Sequence, residues 1–339
     1  MTNEMKPIVT DKRDISEVAD KLHRDALVWD NTIPWGDYGR HELKMGMIPR
    51  MIASGYDIVS LTVAGDAHDL DQAIHFVAKN RNFFQASPEK FVLIETADDV
   101  LRAKQEGKLG IIFHFQGTNP CEGDPNMLEL YYKLGIRHML LVTNVKNVIG
   151  DGCKERTDGG LTRLGVQFIE EMNRVGIISD GSHTGYRTTM DMFEVTRVPA
   201  VFSHALPLAV HDHPRNINDE QIKACAKTGG VIGINGVGVF LGDNDNSTET
   251  FLKHLYYVVD LVGPEHVGIS VDAMYDPANS WPTARHPPAS GIPWPDIKYV
   301  QPEQFPEFTD GMLKRGYSET DIRGILGENW LRVARAVWK

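Results

Sequence analysis

Short apolar runs rich in β-branched residues alternate along this chain with longer stretches whose apolar positions recur every three or four residues. The short runs fall at Ala26–Trp29, Ile58–Val63, Gly110–Phe115, His138–Val142, Gly176–Ser179, Ala200–Ser203, Val231–Ile234 and Val267–Val271. Each reads as a strand. Between them, Asp98–Glu106, Met127–Leu134, Thr162–Arg174 and Glu220–Lys227 have the spacing of helices with one buried face. Strands separated by helices imply a parallel sheet, and eight is the number that closes a (β/α)8 barrel. A doubly wound open sheet is the alternative. Gly135, Gly176, Gly229 and Gly230 stand just before strands, where helix C-caps belong.

The stretch Pro277–Pro302 is proline-rich and aperiodic, which predicts an ordered loop after the last strand, on the face where a barrel carries its chemistry. The end of the chain, Ser318-Glu-Thr-Asp followed by IRGILGENWLRVARAVW, predicts a capped amphipathic helix pair packed outside the barrel. No repeat, low-complexity tract or composition break divides the chain, so residues 1–339 are expected to form a single domain.

In a parallel barrel the strand interiors are apolar, so polar residues at C-terminal strand ends are the ones to question. They are Asp30, Thr32, His114, Gln116, Thr143, Asn144, Asp180, His183, His204, Asn235 and Asp272. His114 and Gln116 are two apart and face the same way. His183 in ISDGSHTG and His204 in VFSHALP put two imidazoles on adjacent strand ends, and Asp272 in GISVDAM adds a carboxylate at the same mouth. Imidazole and carboxylate ligands suit zinc, and the three together point to a metal-assisted hydrolase with Asp272 moving the proton. Arg215 in HPRN offers a planar fork that matches a substrate carboxylate. His211 and His213 are expected to shape a loop. Cys153 has no evident base beside it, and GVIGINGVGVF lacks the strand-then-helix setting of a dinucleotide site.

Charge narrows the partners. The chain has 35 Lys and Arg against 46 Asp and Glu, a formal charge of −11, and no basic block, so a nucleic-acid partner is not expected. The N-terminus has no signal-peptide pattern, and no apolar run is long enough to span a bilayer, so the expected location is cytoplasmic, with no membrane partner. Cys121, Cys153 and Cys225 are far apart and odd in number, and are expected to be free thiols.

Taken in order, LGIRHMLLVTNVKNVIGDG, GIISDGSHTG followed by PAVFSHA, HPRNINDEQIKACAKTGGVIGIN, HVGISVD and ILGENWLRV resemble the renal (membrane) dipeptidase family of the amidohydrolase superfamily. The resemblance covers most of the chain. It implies a (β/α)8 barrel with a zinc site at its mouth, a small amide or dipeptide-like substrate carrying a carboxylate, and a homodimer. His183 and His204 match the two histidines that hold one zinc, Asp272 the catalytic aspartate, and Arg215 the arginine for the substrate's terminal carboxylate. Elsewhere the sequence departs. The His-x-Asp pair that binds the other zinc is replaced by Asp30 and Thr32, and the glutamate that bridges the two ions by Gln116. A further active-site histidine is replaced by Thr143 or Asn144, and a tyrosine by Val237.

A neutral amide cannot offset two dications a few ångströms apart, so one zinc is expected rather than two. His183 and His204 would hold it, completed by Asp30, by His114 or by water, with Glu122 as a substitute ligand. Gln116, His114 and Asn144 are then left to meet substrate. The expectation is a mononuclear metal-dependent hydrolase. The alternatives are a lyase or isomerase on the same barrel, and an inactive binding homologue.

Overall fold

A computed structural model describes residues 15–35, 41–273 and 297–339. Nine strands, β1 (Trp29–Pro34), β2 (Ile58–Gly65), β3 (Phe91–Leu93), β4 (Leu109–Gln116), β5 (Ile136–Leu140), β6 (Ile178–Asp180), β7 (Phe202–Ala205), β8 (Ile232–Ile234) and β9 (Val267–Ile269), form one parallel sheet. Eight of them run in the order β6-β5-β4-β2-β1-β9-β8-β7, and β3 pairs with the first half of β4 beside that ring. The two ends meet at one parallel bridge, Asp180 to Val201, where Val201 N–H donates to Ser179 O at 3.0 Å and Gly181 N–H to Val201 O at 2.8 Å. The expected (β/α)8 architecture is present, with β6 and β7 joined by that short contact in place of a full ladder.

Differences from the sequence reading have local causes. The first strand begins at Trp29 because Ala26–Val28 lead in from the helix Glu17–Asp25, so Asp30, Asn31 and Thr32 lie inside the strand, not after it. Strand β3 was not expected: FVL is three residues long and covers only Leu109–Ile111 of β4. Gly176 is the C-cap of helix Arg163–Val175 at φ 98°, a left-handed turn that costs glycine little, and β6 starts two residues later.

The C-terminal helices form one continuous run. Glu319–Arg323 passes through a π-helical turn, Gly324–Glu328, into Asn329–Val337. Trp330, Leu331, Val333, Ala334 and Val337 pack with Trp29, Ile58, Ile112, Ile178, Val201 and Val231, most of them at or near strand starts, so this helix closes the floor of the barrel. Gly268 permits that approach, since a Cβ there would sit 2.5 Å from Trp330 Nε1.

Of the expected loop Pro277–Pro302, positions up to 296 lie outside the described residues. Beyond them Ile297, Tyr299 and Val300 are buried, and Val300 N–H donates to Gly236 O at 2.9 Å. No helix among the described residues is long and apolar enough to cross a membrane.

Candidate metal centre

The side chains that alternate inward along the strands build a polar column in an otherwise apolar barrel. Ser60 and Thr62 on β2, His114 and Gln116 on β4, and Asp30 and Thr32 on β1 are each two residues apart and so share a face. At the top of this column His183, His204 and Asp272 each offer a ligand atom, all within 4.8 Å of one another. His183 Nε2 lies 2.9 Å from His204 Nε2, which lies 3.8 Å from Asp272 Oδ2.

The outer nitrogen of each imidazole fixes what the inner one can do. His183 Nδ1 faces Asn144 Oδ1 at 2.9 Å, and an amide oxygen only accepts, so the ring carries its proton on Nδ1. The Cys153 thiol also points at that oxygen, at 3.6 Å. His204 Nδ1 contacts Ser203 Oγ at 2.7 Å and Thr32 Oγ1 at 3.3 Å. Thr32 donates its proton to Asn31 O at 2.7 Å, so toward His204 it acts as acceptor, while the Ser203 hydroxyl can either donate or accept. The two Nε2 atoms face each other across 2.9 Å, a spacing that a shared cation could bridge. Burial, with Arg215 adding repulsion, pushes both histidines well below their ordinary pKa. Ligand bonds of roughly 2 Å are compatible with this spacing, and orientation by outer partners is the usual support of metal-binding histidines.

Backbone conformation contributes. Asn144, His183 and Asp272 all have left-handed φ, of 66°, 64° and 53°, which is uncommon outside glycine. The strap that holds them is explicit: Cys153 N–H donates to His183 O at 2.9 Å, Lys154 N–H to Asn144 O at 2.8 Å, and Asp272 N–H to Thr32 O at 3.0 Å. Such conformations persist only where surrounding bonds over-determine them.

Asp272 Oδ2 accepts from Asn235 Nδ2 at 3.2 Å. Burial raises its pKa to about 7, against the opposing pull of Arg215, Asn235 and Gln116. Arg215 is 2% exposed; its Nη2 donates to His204 O at 2.6 Å, and its backbone N–H to His213 Nδ1 at 3.1 Å. Its Nε is buried without a partner among the described residues, a donor left over for a ligand.

Other sequence-derived candidates fall elsewhere. Asp30 is not in the three-residue group: its Oδ1 accepts from Val271 N–H at 3.1 Å and Thr32 N–H at 3.4 Å, and its Oδ2 is buried without a partner among the described residues. His114 is 0% exposed beneath Gln116, with Nδ1 bound to Ser60 and Nε2 to Thr62, so neither nitrogen is left for metal or substrate. Asn144 acts on His183, in a position expected to serve substrate. Glu122 caps the turn Asn119–Cys121 in a left-handed conformation, outside the group. His211 and His213 stack with ring centres 6.2 Å apart, and His213 steadies Arg215.

Sequence reasoning missed Ser60, Thr62 and His138, although polar residues at alternate positions of the apolar run IVSLTV carry the same cue as His114 and Gln116. It also missed Tyr299, a buried phenol that feels the charge of Asp272 and is brought in by an antiparallel bridge to Val237. Its isolated position in the Pro-rich stretch gave no signal.

Burial raises the pKa of Asp30 to about 8, with the charge of Asp272 adding to the effect. A native pKa above the unfolded value of about 4 means that stability is full below pH 4 and is lost as pH rises toward 8. Asp30→Asn keeps the acceptor for Val271 and Thr32 but cannot ionise. In metal-stripped protein it is expected to be more stable than the parent by several kcal/mol at pH 8, each pKa unit being worth about 1.4 kcal/mol, and nearly equal to it at pH 4. Denaturant melts at the two pH values check this.

Residues 40–339 match the family described as membrane dipeptidase (Peptidase family M19). The chain belongs to the membrane dipeptidase family. Among curated members, an uncharacterised dipeptidase of Schizosaccharomyces pombe is 27% identical over 300 residues, 86% of this chain and 66% of that protein. Dipeptidase verJ of Clonostachys rogersoniana is 29% identical over 251 residues, 74% of this chain and 61% of that protein. The chain thus spans less than two thirds of the length of these two dipeptidase relatives. A solved amidohydrolase from Pseudomonas aeruginosa is 28% identical, with a TM-score of 0.83 over 94% of this chain and 99% of its own. A metallo peptidase from Rhodobacter sphaeroides, liganded with a phosphinate mimic of the dipeptide L-Ala-D-Ala, shares the fold with a TM-score of 0.76 at 21% identity, covering 92% of this chain and 99% of its own.

Proposed function

We propose that this membrane dipeptidase family member is a metal-dependent hydrolase of a small amide or dipeptide-like substrate, working with one zinc ion held by His183 and His204. The observation that carries the reading is the pair of Nε2 atoms 2.9 Å apart, each turned inward by its Nδ1 partner, with a carboxylate oxygen 3.8 Å away. Zinc bound there would supply positive charge to polarise a scissile carbonyl and to ease deprotonation of a water. Asp272 accepts that water's proton and passes it to the leaving amine. Arg215 holds the substrate's carboxylate through the donor that the fold leaves unused. Support for a single ion comes from the neutral Gln116 and Thr32 at the positions where the family resemblance implies carboxylates, and from Asp30, whose Oδ1 is taken by two backbone N–H groups.

Elemental analysis of untreated protein is expected to find about one equivalent of zinc. His204→Ala is expected to lower it to a small fraction and to abolish hydrolysis across a dipeptide panel. Metal far below one equivalent, with no activity gained on zinc reconstitution, would overturn the proposal.

A further inference from the structure

Asp66 directly follows β2, outside the group of His183, His204 and Asp272, at a point where the ends of β2, β4 and β5 meet. Its Oδ1 accepts from Asn119 N–H at 3.0 Å and its Oδ2 from Thr143 N–H at 2.8 Å, on the loops that follow β4 and β5. Asn147 Nδ2, in the same loop as Thr143, reaches both oxygens, at 3.3 and 3.2 Å. The backbone adds to this junction: Asp66 N–H donates to Gln116 O at 2.9 Å, and Asp66 O accepts from Asn119 Nδ2 at 2.9 Å. Gly117 leaves room for the carboxylate, since a Cβ there would lie 2.3 Å from Asp66 Cγ.

Each of these side-chain partners is an N–H group, so both oxygens of Asp66 must accept. A carboxylate does this and an amide does not. Asn in its place would turn an NH2 group either toward Asn119 N–H or toward Thr143 N–H. Burial raises the pKa of Asp66 against the pull of the same N–H groups. Thr143 carries the connection onward, because the next residue, Asn144, is the one whose Oδ1 faces His183 Nδ1 at 2.9 Å, from a left-handed backbone at φ 66°. The backbone of Asn144 is also bonded to His183 O and to Lys154 N–H. Those bonds join Asn144 to its neighbours at the mouth. Asp66 joins it, through Thr143, to β2 and β4, and Thr143 Oγ1 donates to Gln116 O at 2.5 Å on the same side.

We propose that Asp66 is a positioning residue for the metal centre: its carboxylate pins Thr143, so that the Asn144 amide meets His183 Nδ1 and keeps His183 Nε2 turned toward His204. Outer partners of ligating histidines set metal affinity, and their removal weakens it by roughly 10- to 100-fold. Asp66 stands one step further out than Asn144, and its effect passes through that amide. The inference rests on the proposed role of His183 as a metal ligand, but the link from Asp66 to His183 can be read without metal and without activity.

The test compares Asp66→Asn, Asn144→Gly and the two combined in the full chain; Asp66→Asn keeps the shape, and Asn144→Gly removes the amide at a φ that glycine adopts freely. Zinc affinity, measured by competition with a chelating dye, is expected to fall by roughly 10- to 100-fold in Asn144→Gly and by about tenfold in Asp66→Asn. The double variant is expected to match Asn144→Gly within about twofold, because a group that acts through another adds nothing once the other is gone. A merely structural role for Asp66 would multiply the two losses. In metal-free protein labelled with 15N-histidine, the His183 signals, assigned by their loss in His183→Gln, are expected to move in the same direction in Asp66→Asn and Asn144→Gly. If Asp66→Asn does not fold, Asp66→Ala, which deletes the acceptor without opposing two N–H groups, carries the same comparison. Multiplied losses, or His183 signals that shift in Asn144→Gly and stay in place in the Asp66 variant, would overturn the proposal. A wild type that binds no zinc would remove the metal reading instead, and the metal-free spectra would still decide the role of Asp66.

Discussion

Asp272→Asn is expected to lower kcat by about 10³-fold while leaving zinc content near one equivalent and the fold unchanged, within the range for losing a general base. The residue is well suited to a clean test. Its φ of 53° is tolerated by Asn as readily as by Asp, so the backbone has no reason to move. An amide oxygen can still accept from Asn235, which donates at 3.2 Å in the native protein. What disappears is the ability to take a proton. His183 and His204 remain to hold the ion, because their orientation depends on Asn144, Ser203 and Thr32 and not on Asp272. Steady-state kinetics on the best dipeptide, with metal analysis of the same sample, is the measurement. A variant within tenfold of wild type would show that proton transfer runs through another group.

The second large effect is a gain. If the native chain binds one ion because neutral or engaged groups replaced charged ligands, then restoring all three should admit another. Asp30→His, Thr32→Asp and Gln116→Glu combined are expected to raise zinc from about one to about two equivalents. Gln116→Glu alone is expected to stay at one, because the first-strand ligands would still be missing. In the absence of added zinc the triple variant should melt earlier than the parent, since it buries further charge without a counter-ion, and zinc should restore it. A triple variant that remains at one equivalent would show that β1 and β4 cannot bring those ligands together.

The fold was legible because a parallel barrel repeats one signal, a short apolar run followed by an amphipathic helix. Where that signal weakened, so did the reading. Polar Asp30, Asn31 and Thr32 hid the body of β1, and a strand as short as Phe91–Leu93 could not be told from a loop. His183, His204 and Asp272 were legible as a group because each follows an apolar run. The role of His114 was not. Sequence spacing places it on the face of Gln116, but only the depth of the barrel shows that Ser60 and Thr62 take up both its nitrogens. Asn144 was recognised as a mouth residue. Its partner became visible only when a left-handed turn brought it against His183 from a different strand end.

The helix that packs Trp330 under the strand starts has a consequence for traffic through the barrel. With that end plugged among the described residues, and a layer of stacked imidazoles and hydroxyls filling the middle, the products of the proposed reaction would depart by the doorway that admits the next molecule. On the proposed reading, the fragment that keeps its carboxylate against Arg215 would compete directly with incoming substrate, so turnover is expected to slow as product accumulates even while substrate is plentiful.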